Sequence, residues 1–295
     1  MKVEEHSTFR HQGSREAFDD RDTAYRLDGG VTVCVVLDGH MGCDAADFVS
    51  GYIRRYLTRN LSRVNNANVP KLIENVFRKC QLSMLLHSDY RKFVRTGTTV
   101  ALLVARGDTA WVANVGDTRC WIVRQEDGGR RVDELTTAHN LSNWQEKLRV
   151  LNTKSWYDRD YVFGRINVTR ALGNLWQIRE LALMNKTYRM VYPEVLRKHA
   201  ADIPLVQQIF EDNGLSFSIH YAPSVATVKL TPGDSFVMAT DGLDALVEEA
   251  PDLIHGVAVL PPDAMKSALH GAVSDRRRRH LPMDNVTVRV LHVSE

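Results

Sequence analysis

Apolar residues fall along this chain in two rhythms. Val31-Thr-Val-Cys-Val-Val-Leu37 is a nearly unbroken valine-rich run that ends abruptly in Asp38-Gly39-His40-Met41-Gly42. Such a run predicts a strand buried on both faces, with polar groups presented at the end of a sheet. The stretch from about 18 to 27 predicts its partner strand, and Asp28-Gly29-Gly30 predicts the hairpin turn between them. That hairpin brings Asp19 and Asp20 to the same end of the sheet as Asp38. After Gly42 the rhythm changes. Ala45, Phe48, Val49, Tyr52, Ile53, Tyr56 and Leu57 recur at helical spacing, as do Leu72, Ile73, Val76, Phe77, Cys80 and Met84, which predicts two amphipathic helices.

Strands are predicted next at 98–105, 109–115 and 119–124, punctuated by the turns Arg106-Gly107-Asp108 and Gly116-Asp117-Thr118. A short strand at 135–136, a polar helix around 142–151 and a strand-like alternation over 164–173 follow. Residues 175–222 differ in character, carrying Trp176, Met184, Tyr188, Met190 and Tyr192 and a helical piece from about 202 to 212. Asp202 would cap that piece, with Pro204 in its first turn. Strands resume at 225–230 and 235–240, the second running into Asp241-Gly242. Pro251 and Pro261-Pro262 bracket further helices, the arginine run 276–279 reads as a solvated loop or helix end, and the last strand, 286–293, opens on Asp284-Asn285. Residues 1–12 are polar and read as extended or frayed.

Composition narrows the class of protein without identifying it. A chain of 295 residues with 44% hydrophobic and 25% charged residues can bury a sizeable core. A net charge of +2 gives no general case for nucleic-acid binding. Cys34, Cys43, Cys80 and Cys120 form no CxxC pair and no zinc spacing, which favours reduced thiols in an intracellular setting. The opening residues lack the apolar core of a secretory signal, and no apolar run approaches the ~18 residues that span a bilayer. The expectation is an intracellular protein, cytoplasmic or nuclear, without membrane or nucleic-acid partners.

The chemistry lies in the strand ends. Asp38, Asp241 and Asp284 each begin or end an apolar strand, and Asp19-Asp20 sits one hairpin from Asp38. Carboxylates gathered at one sheet end repel one another unless cations lie between them. Oxygen ligands without clustered histidine or cysteine select magnesium or manganese. Two such ions would lower the pKa of a shared water and clamp a phosphoryl oxygen. His40 stands where it could protonate a leaving oxygen, and Arg15 offers a planar fork for phosphate. From the residues alone, metal-assisted hydrolysis of a phosphate ester is the working hypothesis.

Eight short motifs then occur in one order from Gly13 to Val293: Gly13-x-Arg15-x-x-x-Asp19-Asp20, Leu37-Asp38-Gly39-His40, Thr96-Gly97-Thr98-Thr99, Trp111-Val-Ala-Asn-Val-Gly116-Asp117-Thr118-Arg119, Leu135-Thr136-x-x-His139, Val168-Thr169-Arg170-Ala171-Leu172-Gly173, Ala239-Thr240-Asp241-Gly242-Leu243 and Asp284-Asn285-Val286-Thr287-Val288. In this the chain resembles the metal-dependent serine/threonine protein phosphatases of type 2C, the PPM family. The resemblance implies an α+β fold, two packed antiparallel sheets flanked by helices in four αββα layers, as one PPM-type domain over 1–295 with an enlarged insertion at about 175–222. It also implies two Mg2+ or Mn2+ ions. Asp38 would bridge them and the Gly39 carbonyl would ligate one. Asp241 and Asp284 would hold one ion, Asp19 would help hold the other, and Asp20 would support the shell. Arg15 would grip the phosphate of a phosphorylated protein substrate, His40 would be the general acid, and a metal-bridging water would attack without a phosphoenzyme.

Several positions depart from the family pattern. Asp19 stands for a usual glutamate, Met41 for a glycine, Ala138 for an aspartate before His139, and Asn174 for the aspartate after Ala171-Leu172-Gly173. Ala245 replaces a carboxylate that, with Asp117, would help hold a third metal, so that site is expected to be absent and Asp117 to be its remnant. Asp19, Met41 and Ala245 motivate an alternative reading as a pseudophosphatase that serves as an interaction scaffold. The insertion either binds a substrate or regulatory partner or packs on its own scaffold; the sequence leaves both open.

Overall fold

The valine-rich run becomes the middle of a sheet. In the computed structural model, which describes residues 1–126, 129–153, 156–177 and 219–295, Val31–His40 (β3) pairs with Arg21–Leu27 (β2) on one side and with Gly97–Arg106 (β4) on the other. Thr109–Val115 (β5) and Ser224–Lys229 (β11) extend the row to β11-β5-β4-β3-β2, and Leu172–Gly173 (β10) pairs briefly with β4. A second antiparallel sheet contains Lys2–His11 (β1), Val286–Ser294 (β13), Ser235–Ala239 (β12), Arg119–Glu126 (β6) and Gly129–Glu134 (β7), in the order β1-β13-β12-β6-β7. Tyr157–Asp158 (β8) and Tyr161–Val162 (β9) make a small separate hairpin.

Alternation along β3 builds three of the four layers. Val33, Val35 and Leu37 pack outward with Val49, Ile53 and Leu57 of Asp44–Asn60 (α1) and Ile73, Val76 and Phe77 of Val69–Leu86 (α2). Cys34 and Val36 face the other way and meet Phe236, Met238 and Leu291 of the second sheet. The run is apolar throughout because both faces are covered. Lys92–Arg95 (α3) and Trp144–Asn152 (α4) lie at the margins of the helical layer. Asp244–Glu249 (α5), Leu253–Val259 (α6) and Pro262–Arg278 (α7) supply the fourth layer, where Met265, Leu269 and Val273 pack on Val237, Val286, Val288 and Val290. Each fully buried aliphatic or aromatic side chain contributes roughly 1.5–3 kcal/mol. The αββα sandwich expected from the motifs is the architecture observed.

Other expectations hold in part or need correction. Of the two alternatives for the N-terminal residues, extended is the one observed: β1 pairs with β13 along its length. A bulge between Glu5 and Ser7 explains why its pattern was hidden, because it switches the face that alternate residues occupy. Val3 therefore joins the inter-sheet core while Phe9, of the same parity, joins the core under α7. The alternating 164–173 segment holds isolated bridges and only the two residues of β10. The strand expected at 135–136 lies earlier, as β7. The arginine run ends α7, with Arg276 and Arg279 both paired to Glu249. The helix expected at 202–212 lies outside the described residues. No helix among those described is long and apolar enough to cross a membrane.

Two polar devices tie distant parts of this frame together. Arg289 of β13 pairs with Asp22 of β2 across the two sheets and with Glu5 at 2.8 Å. The Asp22 side chain is 1% exposed and that of Arg289 8%. The Gln177 amide closes the other: its Nε2 donates to the Ile219 carbonyl at 2.9 Å, and its Oε1 accepts from the Ile219 N–H at 2.9 Å. The chain on either side of 178–218 thus meets at one clasp. Removing one member of a buried ion pair strands the other charge in a poor solvent, at about 3–5 kcal/mol. Asp22→Ala leaves Arg289 with Glu5 alone and releases Arg10, and is expected to lower the urea unfolding free energy by up to about 3 kcal/mol. The Asp22→Leu, Arg289→Met pair is expected to cost much less, and equal losses in both proteins would remove the ion pair as the cause.

Candidate active site

The parity that buries β3 also aims its last carboxylate. Cys34 and Val36 face the inter-sheet core, so Asp38 emerges between the sheets at their end. Thr98 Oγ1 donates to the Asp38 carbonyl at 3.0 Å, which fixes the strand end. Asp241 opens the turn Asp241–Leu243 that follows β12, and Asp117 sits in the hairpin that carries the chain from β5 in one sheet to β6 in the other. One oxygen from each of Asp38, Asp117 and Asp241 lies within 4.8 Å of the others.

Around this centre the predicted residues assemble. Arg15, Asp19, Asp38, Gly39, His40, Asp117, Asp241 and Asp284 all line one cleft of about 1320 Å³. Asp19 Oδ2 accepts from the Gly42 N–H at 3.1 Å, and the Asp19 N–H donates to Asn285 Oδ1 at 2.8 Å. Gly39 is required by this approach, since a Cβ there would stand 2.5 Å from the Asp19 carbonyl oxygen. Arg15 pairs with Asp284 at the mouth of the cleft. Asp20 lies beneath, 1% exposed, with one oxygen accepting from Thr240 Oγ1 at 3.0 Å. His40 Nε2 stands 2.9 Å from Asn174 Oδ1. Asp117, expected as a third-metal remnant, stands beside Asp38 and Asp241.

These carboxylates cannot all ionise unaided. Burial, followed by repulsion from Asp241, Asp20 and Asp117, pushes Asp38 well above the usual carboxylate range. Burial, opposed by the neighbouring Thr287 and Thr240 hydroxyls, raises Asp20 to about 7, and burial with the Asp241 charge raises Asp117 to about 8. Asp241 is raised as well, chiefly by burial. Asp20 Oδ1 and Asp241 Oδ1 are buried without any hydrogen-bond partner. Orphaned acceptors, hard oxygen donors and mutual repulsion together fit divalent magnesium or manganese.

A model of the family described as Protein phosphatase 2C matches residues 3–266. The chain belongs to that family. It is similar to "Probable protein phosphatase 2C 54" of Oryza sativa subsp. japonica, 34% identical over 147 residues covering 48% of this chain and 36% of the relative. It is also similar to "Probable protein phosphatase 2C 34" of Oryza sativa subsp. indica, 26% identical over 229 residues covering 72% and 55%. The matches thus span between about a third and about half of these relatives' length. Among solved structures, the crystal structure of serine-threonine phosphatase 2C from Toxoplasma gondii superposes with a TM-score of 0.67 at 16% identity, over 97% of this chain and 93% of that one.

Of the departures from the protein phosphatase 2C pattern, Asp19, Met41 and Ala245 are the ones that bear on the pseudophosphatase alternative. Asp19 still lines the cleft. Met41 adopts a left-handed φ of 59°, the conformation that suits the glycine it replaces, and the residue is 59% exposed. Ala245 has no ligand, and the neighbouring Asp244 is engaged by Arg119 at 2.8 Å. Burial raises Asp244 to about 6, with Arg119 opposing the shift.

Two features escaped the sequence reading. Asn174 stood outside the expected site yet contacts His40, and Arg91 and Arg95, on or beside α3, line the cleft wall. Charge alone offered no signal for the arginines, since exposed arginines are ordinary surface. A group whose acid pKa is raised on folding stabilises fully below its unfolded pKa and loses that contribution as pH rises through its folded value. The cation-free protein should therefore lose stability between about pH 4 and 8 through Asp20 and Asp117. Mg2+ or Mn2+ should raise the melting temperature more at pH 8 than at pH 5; equal gains at both would contradict this assignment.

Proposed function

We propose that this protein is a magnesium- or manganese-dependent protein serine/threonine phosphatase that hydrolyses phosphoserine and phosphothreonine. The observation that carries the reading is the convergence of Asp38, Asp117 and Asp241 within 4.8 Å at the floor of a cleft that also holds Arg15 and His40. Asp38, the Gly39 carbonyl, Asp241 and Asp284 would hold two ions, with Asp19 completing the set and Asp20 supporting it from beneath. When bound, these ions supply a water of lowered pKa and charge neutralisation for the phosphoryl oxygens.

The side chains perform the remaining work. Arg15 uses one terminal amino group on Asp284, which leaves other guanidinium N–H donors for phosphate oxygens. His40, at the end of a rigid strand, delivers a proton to the serine or threonine oxygen as the ester bond breaks. The third cation site is read as absent, because Ala245 offers no oxygen from its side chain and Asp244 is tied to Arg119. Two ions per chain are expected in calorimetric titration.

The cleft favours a protein substrate over a small phosphorylated metabolite. A volume of about 1320 Å³ extends well past one phosphate group, and Arg91, Arg95 and Arg165 lie along its walls. With the floor carboxylates neutralised by two divalent ions, those arginines leave the entrance positive and suited to acidic residues flanking a phosphoamino acid. A manganese-dependent assay on 4-nitrophenyl phosphate and a phosphothreonine peptide tests the activity. Asp241→Asn should abolish turnover and keep the fold, whereas wild-type activity in that variant would refute the metal assignment. Absence of turnover by the folded, manganese-loaded wild type would refute the enzyme reading. The Arg91→Glu, Arg95→Glu protein should raise KM for an acidic-flanked phosphopeptide by at least about tenfold, an effect that fades with salt. An unchanged KM would remove the arginine wall from substrate recognition.

A further inference from the structure

His40 is the last residue of β3 and lies opposite Gly97 in the β3–β4 register. Its Nε2 is 2.9 Å from Asn174 Oδ1, and its Nδ1 makes no hydrogen bond among the described residues. Asn174 is itself held firmly. It is 1% exposed, its N–H donates to the Thr96 carbonyl at 2.9 Å, and its backbone φ of 51° is a left-handed value that asparagine tolerates better than most residues. Space for the contact depends on Gly97, since a Cβ there would collide with both the Asn174 amide oxygen and His40 Nε2.

The direction of the Asn174 amide follows from its second partner. Nδ2 faces the Arg95 carbonyl at 3.5 Å, and a carbonyl can only accept. Oδ1 must then be the end turned to the imidazole, and an amide oxygen also can only accept. The proton of that contact therefore belongs to Nε2. Neutral His40 is the Nε2–H tautomer, and Nδ1 is the nitrogen left to exchange a proton with substrate.

We propose that Asn174 is the positioning residue for His40, fixing its tautomer and ring orientation so that Nδ1 serves the leaving oxygen. The proposal rests on the hydrolytic reading above. In that reaction the oxygen of water forms the new bond to phosphorus, and the phosphorus–oxygen bond to serine or threonine breaks. The leaving oxygen keeps the bonding pair and takes the Nδ1 proton of the imidazolium. His40 is left neutral, still donating from Nε2 to Asn174, and recovers its Nδ1 proton from the attacking water. The products are the free hydroxyl side chain and inorganic phosphate. The neutral amide does this without adding a carboxylate to an already crowded acidic corner.

Asn174→Gly deletes the acceptor at a backbone conformation glycine adopts freely, and Asn174→Asp restores an acceptor oxygen. The first measurement is the pair of His40 nitrogen shifts by NMR in the Mg2+-loaded protein. The wild type and Asn174→Asp should give the Nε2–H pattern, and Asn174→Gly an averaged one. The second is the ratio of kcat on a phosphothreonine peptide to kcat on 4-nitrophenyl phosphate. Nitrophenolate leaves without a proton and the threonine alkoxide does not, so Asn174→Gly should lower that ratio by about tenfold or more, and Asn174→Asp should restore it. An unchanged ratio, or a wild-type tautomer pattern in Asn174→Gly, would overturn the proposal. Should the wild type turn over neither substrate, the phosphatase reading fails on its own, and the nitrogen shifts still decide the role of Asn174.

Discussion

Asp20, Asp38, Asp117 and Asp241 share one end of the sandwich, and their mutual repulsion in a poorly solvated corner is the constraint that the rest of the structure accommodates. Hydrophobic packing places them there. Leu37 and Val36 bury β3, Phe236 and Met238 bury β12, and the polar residue that ends each strand has no choice of direction. The same packing that stabilises the body of the sheets therefore forces like charges together at their edge. Raised carboxylate pKa values and unpartnered oxygens are the visible cost, and bound cations would relieve it.

Around that corner the protein spends its rigid elements on orientation. Asp38 and His40 come from a central strand clamped between β2 and β4, Asp117 from a hairpin that crosses between the sheets, and Asp241 from a short turn. Asn285 links several of these parts: its amide donates to the Gln12 and Ala17 carbonyls at 2.8 and 3.0 Å while its Oδ1 accepts from the Asp19 N–H. The loop that carries Arg15 and Asp19 is thus pinned to the start of β13. Sites supported this way hold their geometry better than sites built on free loops.

How much of this was legible in the sequence depended on how locally each feature was encoded. β3, α1 and α2 announced themselves because burial on one or two faces writes a direct periodicity. β1 did not, since one bulged residue inverted its pattern halfway along and left a string of polar residues with Val3 and Phe9 on opposite faces. Asp38, Asp241 and Asp284 were readable as polar stops to apolar strands. Asp117 sat in what looked like an ordinary turn, and only the crossing between sheets brings it to Asp38. The contact of Asn174 with His40 joins residues 134 positions apart through a left-handed backbone and a glycine on a third element, none of which has a local signature.

The Gln177 clasp on Ile219 has a consequence for how the chain can change. Because Gln177 and Ile219 are hydrogen-bonded, the chain between them closes a loop at that point. Closure entropy grows logarithmically, so doubling such a loop costs only about 0.6 kcal/mol. A change of length between the clasped residues therefore carries a small closure cost, while Leu175 and Trp176 keep the exit point at the edge of the cleft. A single amide thus fixes both points between which chain length is inexpensive to change.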